Sequence, residues 1–231
     1  MDRITRKQLK SDDFAIQVEH TVEFFDEHRK QAIQYGAAAA VVVLLVVGGF
    51  AYSRQQHKVR EQAMTVAYAT ERTPVGAQAP SGRTLSTPGE KTAAVIKAYT
   101  DVAGKYPGSD QGVLAEYRLG AIAADDGDLE LAGRHYQKAV DSKDGNFASL
   151  AALALADIYK SQGKMAEAEK LLRGLIDKPS DFVSKDEATI ALARLIAQSR
   201  PEEAKKLLDP YINGHDAVSR TAGMAMNEVK K

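Results

Sequence analysis

The chain has 231 residues, with 31 basic and 31 acidic side chains, so its formal net charge at neutral pH is zero. A nucleic-acid-binding protein normally carries an excess of Lys and Arg, and this balance therefore argues against nucleic acid as a partner. The chain has no cysteine, which excludes disulfide bonds and thiolate metal sites.

Residues 1–30 are predicted to form an N-terminal tail that contains one amphipathic helix. Its apolar side chains recur at intervals of four, four and three residues and form one stripe: Phe14, Val18, Val22 and Phe25. The rest of this helix surface is largely acidic, whereas helices that lie on a lipid surface usually have a basic polar face. Two interpretations stay open: a docking helix for a protein partner, or a short helix that lies on the membrane or folds back.

Residues 31–53 form a run of 23 residues without a charged side chain and are predicted to span a membrane as a helix. At about 1.5 Å per residue the run is roughly 34 Å long, enough to cross a bilayer. Tyr35 and Tyr52 lie near its ends, where aromatic rings favour the headgroup region. A buried core helix would show a polar face, and a signal peptide would begin nearer the N-terminus and end in a cleavage site of small residues. We therefore predict an uncleaved membrane anchor.

The chain after the span is predicted to be helical, with one irregular segment. Residues 54–72 have a modest apolar face at helical spacing and are predicted to form a juxtamembrane helix. Residues 73–90 contain three prolines and three glycines, the composition of a linker or an inserted loop. From 91 to 231 every segment has a helical period between Pro or Gly breaks. We therefore expect an all-α fold, with residues 91–231 as the folded domain.

The breaks recur at a regular interval that indicates a repeat. Ala132, Ala168 and Ala204 are 36 residues apart, and a turn position lies five residues before each alanine. A period in the mid-thirties built from two helices is typical of a helical-hairpin solenoid, in which small residues let the helices approach closely. The same interval of 36 residues relates three further sets: Gly127, Gly163 and Ser199; Tyr136, Leu172 and Leu208; Leu119, Leu155 and Ala191.

Two stretches of the chain resemble tetratricopeptide repeats. The first stretch, residues 119–140, is LGAIAADDGDLELAGRHYQKAV. It matches the repeat at the Leu-Gly pair, at the turn glycine, and at the small and aromatic positions of the second helix. Residues 155–172, LADIYKSQGKMAEAEKLL, match again, with Tyr159 at the aromatic position of the first helix. A third copy is degenerate, since Ser199 replaces the turn glycine. The resemblance implies a domain of divergent tetratricopeptide-like repeats that binds proteins.

The layout as a whole is similar to the bacterial ancillary Sec translocon subunit family. That family carries a Val-Glu, Phe-Phe, Glu segment ahead of its anchor, and VEHTVEFFDE at 18–27 contains these residues. Six basic residues precede the span and five lie in the thirty residues after it, so the positive-inside rule does not orient the anchor. The resemblance implies a bacterial inner-membrane protein with a cytoplasmic N-terminus and a periplasmic repeat domain. Its implied partners are translocon components and periplasmic chaperones or clients; the alternative is a membrane-tethered scaffold for an envelope assembly such as cell division or a transport complex.

No residue pattern predicts catalysis, a metal, a cofactor or a small-molecule substrate. The five histidines are scattered without the spacing of a metal site, and no nucleophile motif or phosphate-binding glycine loop occurs in the sequence. Acidic residues crowd around Gly127, but a calcium loop needs a longer series of ligands, so capping of an inter-helix turn is the preferred interpretation. We therefore predict that the protein is not an enzyme.

Binding is expected on the concave face of the solenoid, which the first helix of each hairpin lines. Counting from the Leu-Gly pair and its equivalent one repeat later places six residues on this face: Tyr117, Ala121, Asp125, Leu153, Asp157 and Lys160. Tyr117 is the strongest candidate for a partner contact, because tyrosine is enriched at binding centres. Packing against the preceding hairpin is an equally good interpretation of Tyr117. Asp157 and Lys160 are also compatible with solvated surface positions.

Overall fold

A computed structural model of the chain describes residues 29–142, 145–212, 214 and 217–229. The chain divides into two units, residues 1–58 and residues 59–231. The described residues form nine α-helices, one short 3-10 helix and no strand, so the prediction of an all-α fold is confirmed. The predicted tail stripe lies outside the described residues: Phe14, Val18, Val22 and Phe25.

Helix α1 (Arg29–Arg72) begins in the first unit and is continuous, so the predicted span and the predicted juxtamembrane helix are parts of one helix. Its apolar window has a mean hydropathy of 2.1 and is long enough to cross a membrane. Within this window Leu44 and Leu45 are each 70% exposed. Its length and composition are those that a membrane span needs.

The second unit is a chain of helices in which successive elements pack together. Buried apolar side chains form three clusters, each shared by neighbouring hairpins, which is the packing of a solenoid and confirms that prediction. After α1 the helices are α2 (Pro88–Lys105), α3 (Asp110–Asp125), α4 (Leu129–Val140), α5 (Gly145–Ser161), α6 (Met165–Asp177), α7 (Lys185–Ile196), α8 (Pro201–Leu208), the 3-10 helix Asp209–Tyr211 and α9 (Ala217–Val229).

The Pro/Gly-rich segment between α1 and α2 is an ordered loop that folds back on itself. The backbone N–H of Gly76 donates to the carbonyl of Leu85 at 2.6 Å, and the N–H of Leu85 donates to Ala77 at 3.0 Å. Leu85 has no exposed surface, which anchors the loop to the domain. Helix α2 starts at Pro88, where the Thr87 hydroxyl caps it by accepting a 3.2 Å hydrogen bond from the N–H of Glu90.

A polar network joins the end of α1 to α2 and α3. The hydroxyl of Tyr99 donates to the Glu71 carboxylate, and Nη2 of Arg118 donates to both oxygens of the same carboxylate at 3.0 Å. Tyr99 is fully buried, and this burial, together with its hydrogen bond to Glu71, raises the pKa of its hydroxyl above the ordinary range. The Tyr99 ring also meets the Tyr68 ring edge-on at 6.2 Å between centroids.

The turns inside two hairpins depend on glycine. Gly127 (φ +82°) and Gly163 (φ +74°) adopt the left-handed conformation that disfavours side chains. The turns are equivalent, since the N–H of Asp128 donates to Ala123 at 2.9 Å and that of Lys164 donates to Tyr159 at 2.8 Å. The Asp128 carboxylate accepts a 2.9 Å hydrogen bond from the N–H of Leu131 and caps the N-terminus of α4. This agrees with the interpretation of this acidic residue as a cap of the inter-helix turn.

Replacing Gly163 by alanine is expected to destabilise the protein by about 1–2 kcal/mol, because the new Cβ opposes the left-handed backbone. Gly174, inside α6, is the matched control: an added Cβ there meets no atom within 4 Å. Gly174→Ala is expected to stabilise by up to about 1 kcal/mol through helix propensity. Urea unfolding of the full chain in detergent, followed by circular dichroism, measures both changes. Equal midpoints for the two variants would contradict the role assigned to Gly163.

Candidate functional site

The largest concentration of predicted groove residues lies between first helices of successive hairpins. A groove of about 550 Å³ runs between α5, α7 and α9, and we call it the inner groove. Leu153, Asp157 and Lys160 of the predicted set line it together. Their spacing of four and three residues places them on one face of α5. The other lining residues are Ala156, Leu172, Ser184, Glu187, Ile190, Ala191, Arg194, Leu195, Ala217, Val218 and Thr221.

The inner groove combines an apolar lining with charged side chains of both signs. Asp157 and Lys160 are exposed, and no ion pair or side-chain hydrogen bond holds either of them within residues 29–142, 145–212, 214 and 217–229. On the opposite wall, Nε of Arg194 lies 3.6 Å from a carboxylate oxygen of Glu228, an ion pair too long for a hydrogen bond. The groove therefore offers apolar contacts together with charges that are available to a partner.

The other three predicted residues, all on α3, do not line the inner groove. Tyr117 is half-buried, and its ring packs against Tyr136 of α4 with 5.7 Å between centroids. That contact lies within its own hairpin, not with the preceding one. Burial raises the pKa of the Tyr136 hydroxyl to about 12. Ala121 is half-buried and Asp125 is exposed at the end of α3.

Sequence reasoning missed the groove residues on α7 because its count from the Leu-Gly pair covered only two repeats, and the third hairpin is also out of register with the period of 36. An interval of 36 residues makes Ala191 the equivalent of Leu155. Leu192 is the better structural equivalent, because Leu155 and Leu192 both have no exposed surface. The first helix of this hairpin is therefore displaced by one residue, to an interval of 37. At that interval Ile190 and Arg194 correspond to Leu153 and Asp157, and the sequence would have identified both.

A second charged cluster links α6 to α8 on the outer helices. Glu169 accepts hydrogen bonds from Arg200 and, at 2.7 Å, from Nη2 of Arg173. Glu203 accepts from the same Arg173 atom at 3.0 Å and from Nη1 of Arg200 at 3.1 Å. The hydrogen bonds from Arg200 and then Arg173 hold the pKa of the Glu169 carboxyl below its ordinary value.

This lowered pKa predicts acid sensitivity of the α6–α8 contact. Since the folded pKa lies below the unfolded one, the stabilisation is complete above the ordinary glutamate pKa and is lost as pH falls through the lowered value. Thermal melts between pH 7 and pH 3 should show wild type and Glu169→Gln converging in acid. Glu130→Gln, which removes an exposed pair with Arg134 on α4, is the control and should differ little from wild type at any pH. A Glu169→Gln difference that is independent of pH would refute the assignment.

Among the described residues no cluster of His, Asp and Glu side chains is positioned to hold a metal ion. The charges of the inner groove are spread over two helices and suit recognition of a charged and apolar surface.

Comparison with known proteins identifies the repeat unit. A family model described as a tetratricopeptide repeat-like domain matches residues 23–187. A search of curated proteins found no match, and a search of solved structures found none. The matched range covers more than half of the chain and includes the turns at Gly127 and Gly163. The chain therefore belongs to the tetratricopeptide repeat-like domain family.

Proposed function

We propose that this protein is a single-pass membrane protein whose repeat domain binds other proteins in the inner groove. Tetratricopeptide repeat-like domains are protein-interaction modules, which supports a protein partner. The observation that carries the proposal is the pair Asp157 and Lys160, which are exposed beside the apolar side chains of Leu153 and Ile190 and have no ion partner in the described part of the chain. Interfaces use apolar contacts for affinity and charges for orientation and selectivity.

The anchor is the second part of the proposal. Helix α1 exposes an apolar surface that water does not favour, and a bilayer is the environment that removes this cost. The arginine side chain of Arg54 lies over the Phe50 ring at 4.4 Å, a pairing suited to the end of a span. The resemblance of the tail to ancillary Sec translocon subunits supports a bacterial inner membrane, a cytoplasmic N-terminus and a periplasmic repeat domain. The proposed partners are translocon components, periplasmic chaperones and their clients.

Photo-crosslinking from the inner groove tests the partner. A benzoylphenylalanine placed at Lys160 is expected to capture translocon subunits or periplasmic chaperones in intact cells. Arg134, exposed on α4 and outside the groove, is the matched control position and should capture none of them. Capture of a fixed set of cell-division or transport proteins from Lys160 would favour the scaffold alternative. Equal products from both positions would refute binding in the inner groove.

Topology is tested with a single introduced thiol, because the chain has no cysteine of its own. Gln198 is exposed in the turn between α7 and α8, and Gln198→Cys places the thiol on the repeat domain. A membrane-impermeant maleimide should label this variant in intact spheroplasts. Labelling only after lysis would place the repeats in the cytoplasm and contradict the proposed periplasmic role. Extraction with alkaline carbonate tests the anchor separately, since an integral protein stays in the membrane pellet.

A further inference from the structure

The inner groove has an exposed acidic side chain at one end and an exposed basic side chain at the other. Glu187 lies in the first turn of α7, and Lys160 lies in the last turn of α5. Both line the groove, and within the described part of the chain neither forms an ion pair or a side-chain hydrogen bond. These two charges are therefore available to a partner.

The two charges lie at opposite ends of the groove because α5 and α7 run in the same direction. Each of these helices packs against α6, which runs back between them. Ile190 is the equivalent of Leu153, so Glu187 lies level with Leu150, ten residues before Lys160 on α5. At about 1.5 Å per residue, the acid and the base are about 15 Å apart along the helix axes.

The surface between the two ends is apolar at its centre and carries charges of both signs beyond it. Leu153 and Ile190 line the groove at the same level of α5 and α7. One turn further on, Asp157 on α5 is level with Arg194 on α7, and these two side chains are opposite in charge. Arg194 also has an acidic neighbour, since its Nε lies 3.6 Å from Glu228. A complementary partner therefore needs an apolar centre with a base on one side of it and an acid on the other.

The dimensions of the inner groove favour an extended occupant over a helical one. The lining follows α7 from Ser184 to Leu195, about 16 Å at ~1.5 Å per residue. A volume of about 550 Å³ spread over that length gives a mean width of roughly 7 Å, whereas an α-helix with its side chains is about 10–12 Å in diameter. Neighbouring strands of a sheet are spaced about 4.8 Å apart, so an extended segment fits this width.

We propose that the inner groove binds an extended protein segment that carries a basic, an apolar and an acidic side chain at alternate positions. This inference rests on the proposed function, in which the groove binds proteins. Alternate residues of an extended segment point to the same side, and the first and fifth residues are about 13 Å apart. The base of the segment meets Glu187, its acid meets Lys160, and its apolar side chain packs between Leu153 and Ile190.

Helix electrostatics alone also accounts for an acid in a first turn and a base in a last turn, because both placements are favourable to the helix dipole. That account predicts an effect on stability and none on the choice of ligand. Glu167 separates the two explanations, since it is exposed in the first turn of α6 and lies outside the inner groove. Glu167→Gln is therefore the matched control for Glu187→Gln.

A synthetic peptide with the core Arg-Ser-Bpa-Ser-Glu, in which Bpa is benzoylphenylalanine, tests the class of ligand. Bpa is both the apolar residue and the photo-crosslinker. With the purified full chain in detergent, irradiation should link the peptide to residues that line the inner groove, which mass spectrometry of the digested product identifies. Glu187→Gln should lower the yield about threefold, the effect of one exposed ion pair, and Glu167→Gln should leave the yield unchanged.

Changes made in the peptide identify which charges meet. When the Arg of the peptide is replaced by Gln, Glu187→Gln should have no further effect, whereas Lys160→Gln should still lower the yield about threefold. A peptide of the same composition with Arg and Glu adjacent cannot reach both ends of the groove, and its yield should be about threefold lower than that of the core peptide. Urea unfolding confirms that each protein variant is folded.

Three results would each overturn the proposed ligand class: equal yields from the two peptide orders, no cross-link to the inner groove, or an effect of Glu187→Gln that does not depend on the Arg of the peptide. If one of them accompanies capture of partners in cells from position 160, the proposed function stands and the ligand class is wrong. If capture in cells fails as well, protein binding in the inner groove is itself refuted.

Discussion

Replacing Gly120 by alanine is expected to lower the free energy of unfolding by about 1–3 kcal/mol, the cost of forcing extra volume into a packed core. Gly120 belongs to the Leu-Gly pair of the repeat and lies on α3 where it meets α4. A Cβ at this position would stand 2.6 Å from two ring carbons of Tyr136. Tyr136 is only 5% exposed, so its ring has no room to withdraw.

The other hairpins show how this clash is avoided. One repeat later, Ala156 and Leu172 stand in place of Gly120 and Tyr136, and both are buried. A smaller side chain on the second helix therefore accompanies a larger one on the first. The double variant Gly120→Ala with Tyr136→Leu should consequently be more stable than the sum of the two single changes predicts.

The matched control for Gly120 is Gly133, on α4 of the same hairpin. A Cβ at Gly133 would lie 3.6 Å from Ile158, an ordinary van der Waals distance. Gly133→Ala should be neutral or stabilising by up to about 1 kcal/mol, since alanine is the better helix former. The measurement is the free energy of urea unfolding of wild type, the three single variants and the double variant. If the effects of Gly120→Ala and Tyr136→Leu were strictly additive, the Gly120–Tyr136 contact would not be the cause of the lost stability in Gly120→Ala.

Reversing the charges of the inner groove is expected to reduce partner capture about tenfold or more, which corresponds to at least ~1.4 kcal/mol of binding free energy. The variant is Asp157→Lys with Lys160→Glu, which keeps the net charge and inverts its order along α5. Both side chains are exposed on a helix whose core residues, such as Leu155, are buried, so the melting temperature should change little. Binding should fall because a partner that complements the native order meets like charges at both positions.

The measurement is the yield of photo-crosslinked partner from a benzoylphenylalanine at Ala191, which lines the inner groove on α7 and leaves α5 free for the charge changes. The control reverses an exposed pair outside the groove, Glu130→Lys with Arg134→Glu on α4. That control should leave the yield unchanged. A groove variant that captures the partner as well as wild type does would show that Asp157 and Lys160 are solvated surface positions only.

Local chemistry was sufficient to predict the helices and the sharp turns. Glycine at Gly127 and Gly163 permits the left-handed backbone that closes a helix, and the sequence spacing alone located both turns. The apolar run of α1 is equally local, because length and absence of charge do not depend on what surrounds the helix. The family match to residues 23–187 agrees with the repeat that was inferred from the interval of 36 residues.

Long-range packing decided which side chains meet. Tyr117 has the residue type of a binding centre, yet its ring packs against Tyr136, a contact that depends on how α3 and α4 approach. The Pro/Gly-rich loop looks like a linker from composition, but burial of Leu85 holds it in place, and burial is a property of the folded chain.

The register of the third hairpin is the clearest case. One extra residue precedes α7, so equivalent positions on α5 and α7 are 37 residues apart and not 36. Ile190 and Arg194, which line the inner groove, are therefore the equivalents of Leu153 and Asp157. Composition and spacing cannot detect this shift, because Ala191 and Leu192 are both apolar and either suits a buried position. Only the packing of α7 against its neighbours decides it, since a helix turns about 100° per residue and a shift of one residue presents a different face. The sequence by itself thus determined the helices, the turns and the apolar run, while the tertiary structure decided which side chains share a groove.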